Sequence, residues 1–351
     1  MHWRRRCGLA LGLLWAALCP DPLLAADLAD LSQILRELGT TATVLHVGAH
    51  PDDEDNVLLA YLARQRGVRT VYLSLTRGEG GQNSIGGETG PALGLLRTLE
   101  LLGAREVDGA EQTFGACYDF GFSHSAEETL AKWGEREALG DIVLALRRYR
   151  PDVVISRFAG DTGDGHGHHQ AVGLLVRRAF RAAADPAEYP EHAAAGLQPW
   201  QASRLYVDRG PLEGADCQLD VSTWLLPWGA TPAGLGARAR SRHHSQDMGT
   251  AEALAPAPVR MKLIDSIDQA DPAADLLAGL DVSLPRLAGE DGLARTLLAS
   301  AADEIAAAST GLPGLEPSGR GLRVRLGTIL DHLRRASARL EDSAAAPPTA
   351  D

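Results

Sequence analysis

Residues 43–54 read Thr43-Val44-Leu45-His46-Val47-Gly48-Ala49-His50-Pro51-Asp52-Asp53-Glu54. The run Thr43-Val44-Leu45 has the character of a buried strand, and residues from Val57 to Gln65 take up helical spacing. One imidazole and three consecutive carboxylates therefore stand where a strand ends and a helix begins. In parallel α/β sheets that turn is where ligands bind. Adjacent carboxylates repel one another unless a cation or protons intervene. The expectation is a divalent metal and a general base side by side. The bland alternative is an acidic helix start favoured by the helix dipole.

A second cluster has the same setting. Asp161-Thr162-Gly163-Asp164-Gly165-His166-Gly167-His168-His169-Gln170 follows the apolar run Val153-Val154-Ile155 and leads into a helical stretch, Ala171 to Phe180. A catalytic zinc commonly takes three protein ligands of the His/Asp/Glu type and keeps a fourth position for water. His50 and Asp53 with one histidine of the second cluster make such a set. Glu54 reads as a helix-start or supporting carboxylate, because three consecutive side chains do not readily converge on one ion. His46 alternates with Leu45 and Val47 and reads as a core histidine.

Outward from these tips, apolar runs at Ala42–Val47, Thr70–Leu75, Val153–Ser156 and Leu205–Val207 alternate with helical patterns at Leu28–Leu38, Val57–Arg66, Ala92–Leu102, Gly140–Arg148 and Ala171–Ala184. This predicts an α/β fold, a Rossmann-like, mostly parallel sheet flanked by helices. The glycine-rich stretch between Thr76 and Pro91 lacks the Gly-Lys-Ser/Thr of a phosphate loop and reads as a mobile active-site loop. Beyond residue 250 the chain is rich in Ala and Pro. Leu276–Leu280, Leu293–Ile305 and Val324–Leu340 read as helices of a C-terminal extension, residues 251–342, that packs on the catalytic unit of residues 27–250. Residues 343–351 read as a disordered tail.

The 351 residues carry a formal charge of −12 and no basic stripe, which argues against a nucleic-acid partner. Arg4-Arg5-Arg6, the short apolar run Gly8–Leu18 and the small residues Ala25-Ala26 read as a cleavable secretory signal over residues 1–26. Its removal takes three Arg and one Asp and leaves a charge of −14. The mature protein is then expected to be secreted or periplasmic and to have no membrane span. Cys117 and Cys217 remain, read as two buried thiols rather than a disulfide. Oligomeric state is open.

The ordered set Ala49-His50-Pro51-Asp52-Asp53-Glu54, Thr76-Arg77-Gly78-Glu79-Gly80-Gly81, Leu96-Arg97-Thr98-Leu99-Glu100, Asp119-Phe120-Gly121 and His166-Gly167-His168-His169 resembles the PIG-L/LmbE-like family of zinc-dependent N-acetylglucosaminyl deacetylases and amide hydrolases. The resemblance covers about residues 40–250, including Arg240-Ser241-Arg242-His243-His244-Ser245-Gln246. It implies one Zn2+ held by His50, Asp53 and His169, with Asp52 as general base and a protonated His166 at the oxyanion. It also implies substrate contacts at Arg97 and Asp119. Two departures stand out: Gly167-His168 replaces the Pro-Asp common between the two histidines, and Asp164 stands where some members carry Tyr. His168 remains an alternative to His169. Arg97 could instead pair with Glu100 along its helix, Asp119 could cap a turn at Gly121, and His243 and His244 read as a surface pair.

The implied activity is hydrolysis of the amide of an N-acetylated amino sugar or glycoconjugate. A different amide such as a thiol conjugate, or carbohydrate binding without turnover, are the alternatives. Nucleotide binding lacks its phosphate-loop lysine.

Overall fold

The computed structural model describes residues 28–209, 214–253, 255–268, 275–311 and 320–345. The expected signal segment 1–26 lies outside them. The described residues open with α1 (Leu28–Leu38), then run β1 (Thr43–Gly48), α2 (Asn56–Ala60, continued by a wider turn through Gln65), β2 (Arg69–Ser74) and α3 (Pro91–Asp108). Next come β3 (Glu111–Phe114), α4 (Ala126–Trp133), α5 (Glu135–Tyr149), β4 (Val153–Ser156), α6 (Gly167–Ala182), β5 (Arg204–Val207) and β6 (Cys217–Leu219). The remainder is α7 (Pro232–Arg240), β7 (Val259–Ser266), α8 (Gly292–Gly311) and α9 (Arg320–Ala345).

The seven strands form one sheet in the order β3-β2-β1-β4-β5-β7-β6. The first five are parallel, with Leu45 opposite Val71 on one side and Val154 on the other. β7 runs antiparallel to β5 and β6, so the sheet is mixed. The central strands β1, β2 and β4 are buried along their whole length, as expected of parallel strands covered on both faces. One face packs on α5 and α6 through Val143, Leu146, Val172 and Val176. The other packs Leu58, Leu62, Val153 and Tyr206 beneath α2 and the β6–β7 region. The strand order reverses between β1 and β4, and the crevice at their carboxyl ends is the topological switch point. Both predicted clusters flank it.

Three expectations are corrected. β7 lies inside the range read as helical extension, and it pairs with the sheet. Leu276–Leu280 forms turns rather than a helix, and α9 continues to Ala345 beyond the expected tail boundary at Ser343. Residues 346–351 lie outside the described residues. α8 and α9 pack with α1 around a separate apolar cluster. Cys117 and Cys217 are free thiols, and burial raises both pKa values, to about 12 and about 11. Among the described residues, no helix is long and apolar enough to cross a membrane.

Candidate metal and active site

The turn after β1 brings Asp53 back over its own strand end. Asp53 Oδ2 accepts the backbone N–H groups of Ala49 (3.0 Å) and His50 (2.7 Å), which fixes the carboxylate. Its two oxygens then face two imidazoles: His50 Nδ1 stands 3.2 Å from Oδ2, and His169 Nε2 stands 3.3 Å from Oδ1. Donor atoms at roughly 2.0–2.1 Å from a tetrahedral zinc are spaced by about 3.4 Å. The donor atoms of His50, Asp53 and His169 all lie within 4.8 Å of one another, so the set fits a divalent cation.

Two supports orient these rings. His169 directs Nδ1 at the Asp164 carbonyl (3.2 Å) and stacks on Phe158, which leaves Nε2 for a ligand. His50 directs its far nitrogen, Nε2, at His168 Nδ1 (2.9 Å). A second set of donors, His50, His166 and His168, also lies close together. In it, however, His168 Nδ1 is already engaged by His50. Burial, followed by the neighbouring imidazoles, pushes the His168 pKa down to about 2, so this fully buried ring is neutral.

Asp52 has φ +100, a left-handed value that a non-glycine residue adopts only under constraint. Such strain costs of order 1–3 kcal/mol and persists where surrounding contacts over-determine it. The constraints are visible. Glu54 Oε2 accepts the Asp52 N–H (2.9 Å), Arg97 donates to the Pro51 carbonyl (2.7 Å), and Arg240 donates to the Asp52 carbonyl (3.4 Å). The Asp52 carboxylate meets Arg97 Nη2 at 3.2 Å. Burial raises its pKa to about 6 against the pull of Arg97, which suits a group exchanging protons near neutral pH.

His166 caps α6, its Nδ1 accepting the His168 N–H (3.1 Å). The ring proton therefore sits on Nε2. Burial and the neighbouring His50 and His169 lower its pKa to about 4. The expected imidazolium is thus corrected to a neutral ring offering one N–H.

All seven predicted site residues (His50, Asp52, Asp53, Arg97, Asp119, His166 and His169) line one cavity of about 510 Å³. Arg97 does not pair with Glu100. Its Nη1 and Nη2 go to Gly78 O, Pro51 O and Asp52, while Glu100 accepts from Ser245. Asp119 does accept the Gly121 N–H (2.9 Å), and it also faces His168 Nδ1 at 3.8 Å and His50 Nε2 at 4.0 Å. The glycine-rich loop supplies a wall that only glycine permits, since a Cβ at Gly80 would stand 2.2 Å from Gly121 N.

Sequence reasoning missed Arg209, Arg240, Gln246, Met248 and Phe122 in the lining. It also misplaced His243, which is fully buried with Nε2 2.8 Å from Glu54 Oε1, although His244 is exposed. The string Arg240–Gln246 was the available signal. His46 is the core histidine it was read as, bonded to buried Asp208 (2.9 Å).

The 1D-myo-inositol 2-acetamido-2-deoxy-alpha-D-glucopyranoside deacetylase of Geodermatophilus obscurus is 32% identical over 180 residues, taking in 46% of this chain and 60% of that one. The corresponding deacetylase 2 of Frankia casuarinae is 30% identical over 184 residues, 47% of this chain and 57% of that one. The matches thus span about 60% of the length of these relatives. Among solved structures, N,N'-diacetylchitobiose deacetylase from Pyrococcus horikoshii superposes with a TM-score of 0.49 at 17% identity, over 67% of this chain and 91% of that one. The family model for GlcNAc-PI de-N-acetylase, PIG-L, matches residues 45–180, the stretch that carries both strand tips.

Proposed function

We propose that this protein is a zinc-dependent N-deacetylase that hydrolyses the acetamido group of an N-acetylated amino sugar or glycoconjugate. The observation that carries the reading is the Asp53 carboxylate set between His50 and His169, with Asp52 beside it on the floor of one cavity. Two nitrogen donors and one carboxylate at near-tetrahedral spacing support zinc as the ion. The substrate class rests on the relatives, whose names specify a 2-acetamido sugar.

Bound there, zinc supplies Lewis acidity and lowers the pKa of water from 15.7 to about 7. The chain's own groups do the rest. Asp52 takes a proton from the attacking water as the new C–O bond forms. His166 donates its Nε2–H to the developing oxyanion, a contribution worth roughly 2.7–4 kcal/mol per donor in other hydrolases. Asp52 then passes the proton to the sugar nitrogen as the C–N bond breaks, leaving acetate and a free amine. Arg97 holds the base in place, and Asp119 faces the cavity where substrate hydroxyls would lie. The N-terminal segment supports a secreted or periplasmic address.

The test is acetate release from a panel of N-acetylated sugars by wild type and Asp52→Ala, with metal content measured for each. Turnover by wild type, lost in a variant still holding about one zinc per chain, is the expected result. A zinc-loaded wild type inert on every sugar overturns the sugar specificity. Wild type without bound metal overturns the site.

A further inference from the structure

We propose that His243, acting through Glu54, is a positioning residue that holds Asp52 in its left-handed backbone conformation. This rests on Asp52 being the base of the reaction proposed above. Glu54 carries two different loads on its two oxygens. Oε1 accepts from His243 Nε2 (2.8 Å), Asn56 Nδ2 (3.0 Å) and Arg105 Nη2 (3.1 Å). Oε2 accepts the backbone N–H of Asp52 (2.9 Å). Glu54 and His243 are both completely enclosed.

The direction of dependence follows from chemistry. A buried carboxylate keeps a fixed rotamer only while its lone pairs are satisfied. Three donors on Oε1 pin the group, and the second oxygen is thereby aimed at one N–H. That N–H belongs to the residue whose φ of +100 lies beyond the left-handed well that aspartate ordinarily visits. Among the described residues His243 Nδ1 has no hydrogen-bond partner, so there the ring's hydrogen bond is the one to Glu54. The turn that carries His243 is itself moored to α3, because Ser245 donates its N–H (2.7 Å) and hydroxyl (2.6 Å) to Glu100. α3 also supplies Arg105, and Arg97 to the Asp52 carboxylate. One helix thus tensions the base from both sides, through its side chain and through its backbone.

The experiment uses full-length, metal-loaded protein with His243→Leu and His243→Gln, each alone and combined with Asp52→Ala. The readout is acetate release from the N-acetylated sugar turned over fastest. Leu removes the donor at similar volume, whereas Gln returns an N–H near the position of Nε2. His243→Leu is expected to lower kcat about 10- to 100-fold, as removing such outer contacts does elsewhere. KM should hold and metal content should not change. His243→Gln should recover most of the loss. On the residual turnover that Asp52→Ala leaves above the buffer rate, adding His243→Leu should have no further effect, because residues acting as one unit are not additive. Undiminished kcat in His243→Leu overturns the proposal. So does an equal loss with Asp52 absent, or a loss confined to KM. Should the wild type release no acetate at all, the deacetylase reading fails, and a crystal structure of His243→Leu decides this point alone. Asp52 leaving the left-handed region supports the positioning role, and Asp52 keeping it overturns that role.

Discussion

Two regions of this molecule are built on opposite principles. Around the helical layer, α1, α8 and α9 bury Leu35, Leu298, Ile305, Ile329 and Leu333 against one another, with alanines at 294, 301 and 336 letting the helices approach closely. Around the site, the buried groups are Glu54, Asp108, Arg105, His46, Asp208 and His243. Apolar burial stabilises on its own account, at about 25 cal/mol per Å². A buried ionic network stabilises only when complete, and replacing such pairs by apolar groups is often neutral or favourable. The contrast teaches what each is for. The helical layer supplies stability that any well-packed alternative could supply, whereas the network spends burial on holding Asp52 and the imidazoles in one geometry.

Ile329→Ala in the helical layer tests that division most severely. It should cost about 2–5 kcal/mol of stability, as large-to-small core changes do, and leave kcat per folded molecule unchanged. Urea unfolding paired with acetate release measures both. A fall in kcat per folded molecule would show the two regions to be coupled and break the comparison.

Acid sharpens it from the other side. Burial alone would raise the Glu54 pKa, but His243 and Arg105 overcome it and hold the group well below the ordinary value of 4.5. Asp208 is likewise lowered, with Arg157 and His46 outweighing its burial. For a depressed carboxylate the stabilisation is fully present above the unfolded pKa and is lost as pH falls through the folded one. Stability should therefore be flat near neutrality and decline below about pH 4.5. Glu54→Gln should be less stable at pH 7 and show a shallower decline. Parallel curves for the two proteins would remove Glu54 from the account.

Legibility in the sequence followed the same division. The strand tips were readable because Thr43–Glu54 and Val153–His169 each put strand, ligands and helix start within one local segment. His243 was not, since its burial depends on a partner 189 positions away. α3 inverts the usual rule. Leu95, Leu99 and Leu102 are exposed at 63%, 59% and 44%, while Arg97, Glu100 and Arg105 on the same helix point inward. Hydrophobic periodicity finds a helix there, and Leu93, Leu101 and Ala104 are indeed buried, but it gives no sign that the charged side chains share their face. β7 did carry an alternating signal, Val259, Met261 and Leu263, but the Ala- and Pro-rich sequence before it masked the strand. β3, Glu-Gln-Thr-Phe at the sheet edge, is half-buried throughout and offers little apolar pattern to read.

The smallest expected effect lies on the surface of the helical layer. Arg325 of α9 meets Glu304 of α8 at 2.8 Å, with side chains 47% and 33% exposed. Such a pair gains little in high dielectric and gives up side-chain freedom, so Arg325→Ala should change stability by less than about 1 kcal/mol. The small effect should shrink further in added salt, because exposed charges are screened within about 8–10 Å at physiological ionic strength. Chemical denaturation of the two proteins at low and high salt measures it. A loss above about 3 kcal/mol, the range of a broken buried pair, would mean that α8 and α9 are held by charge as well as by Leu298 and Ile329. The helical layer would then belong with the site rather than opposite it.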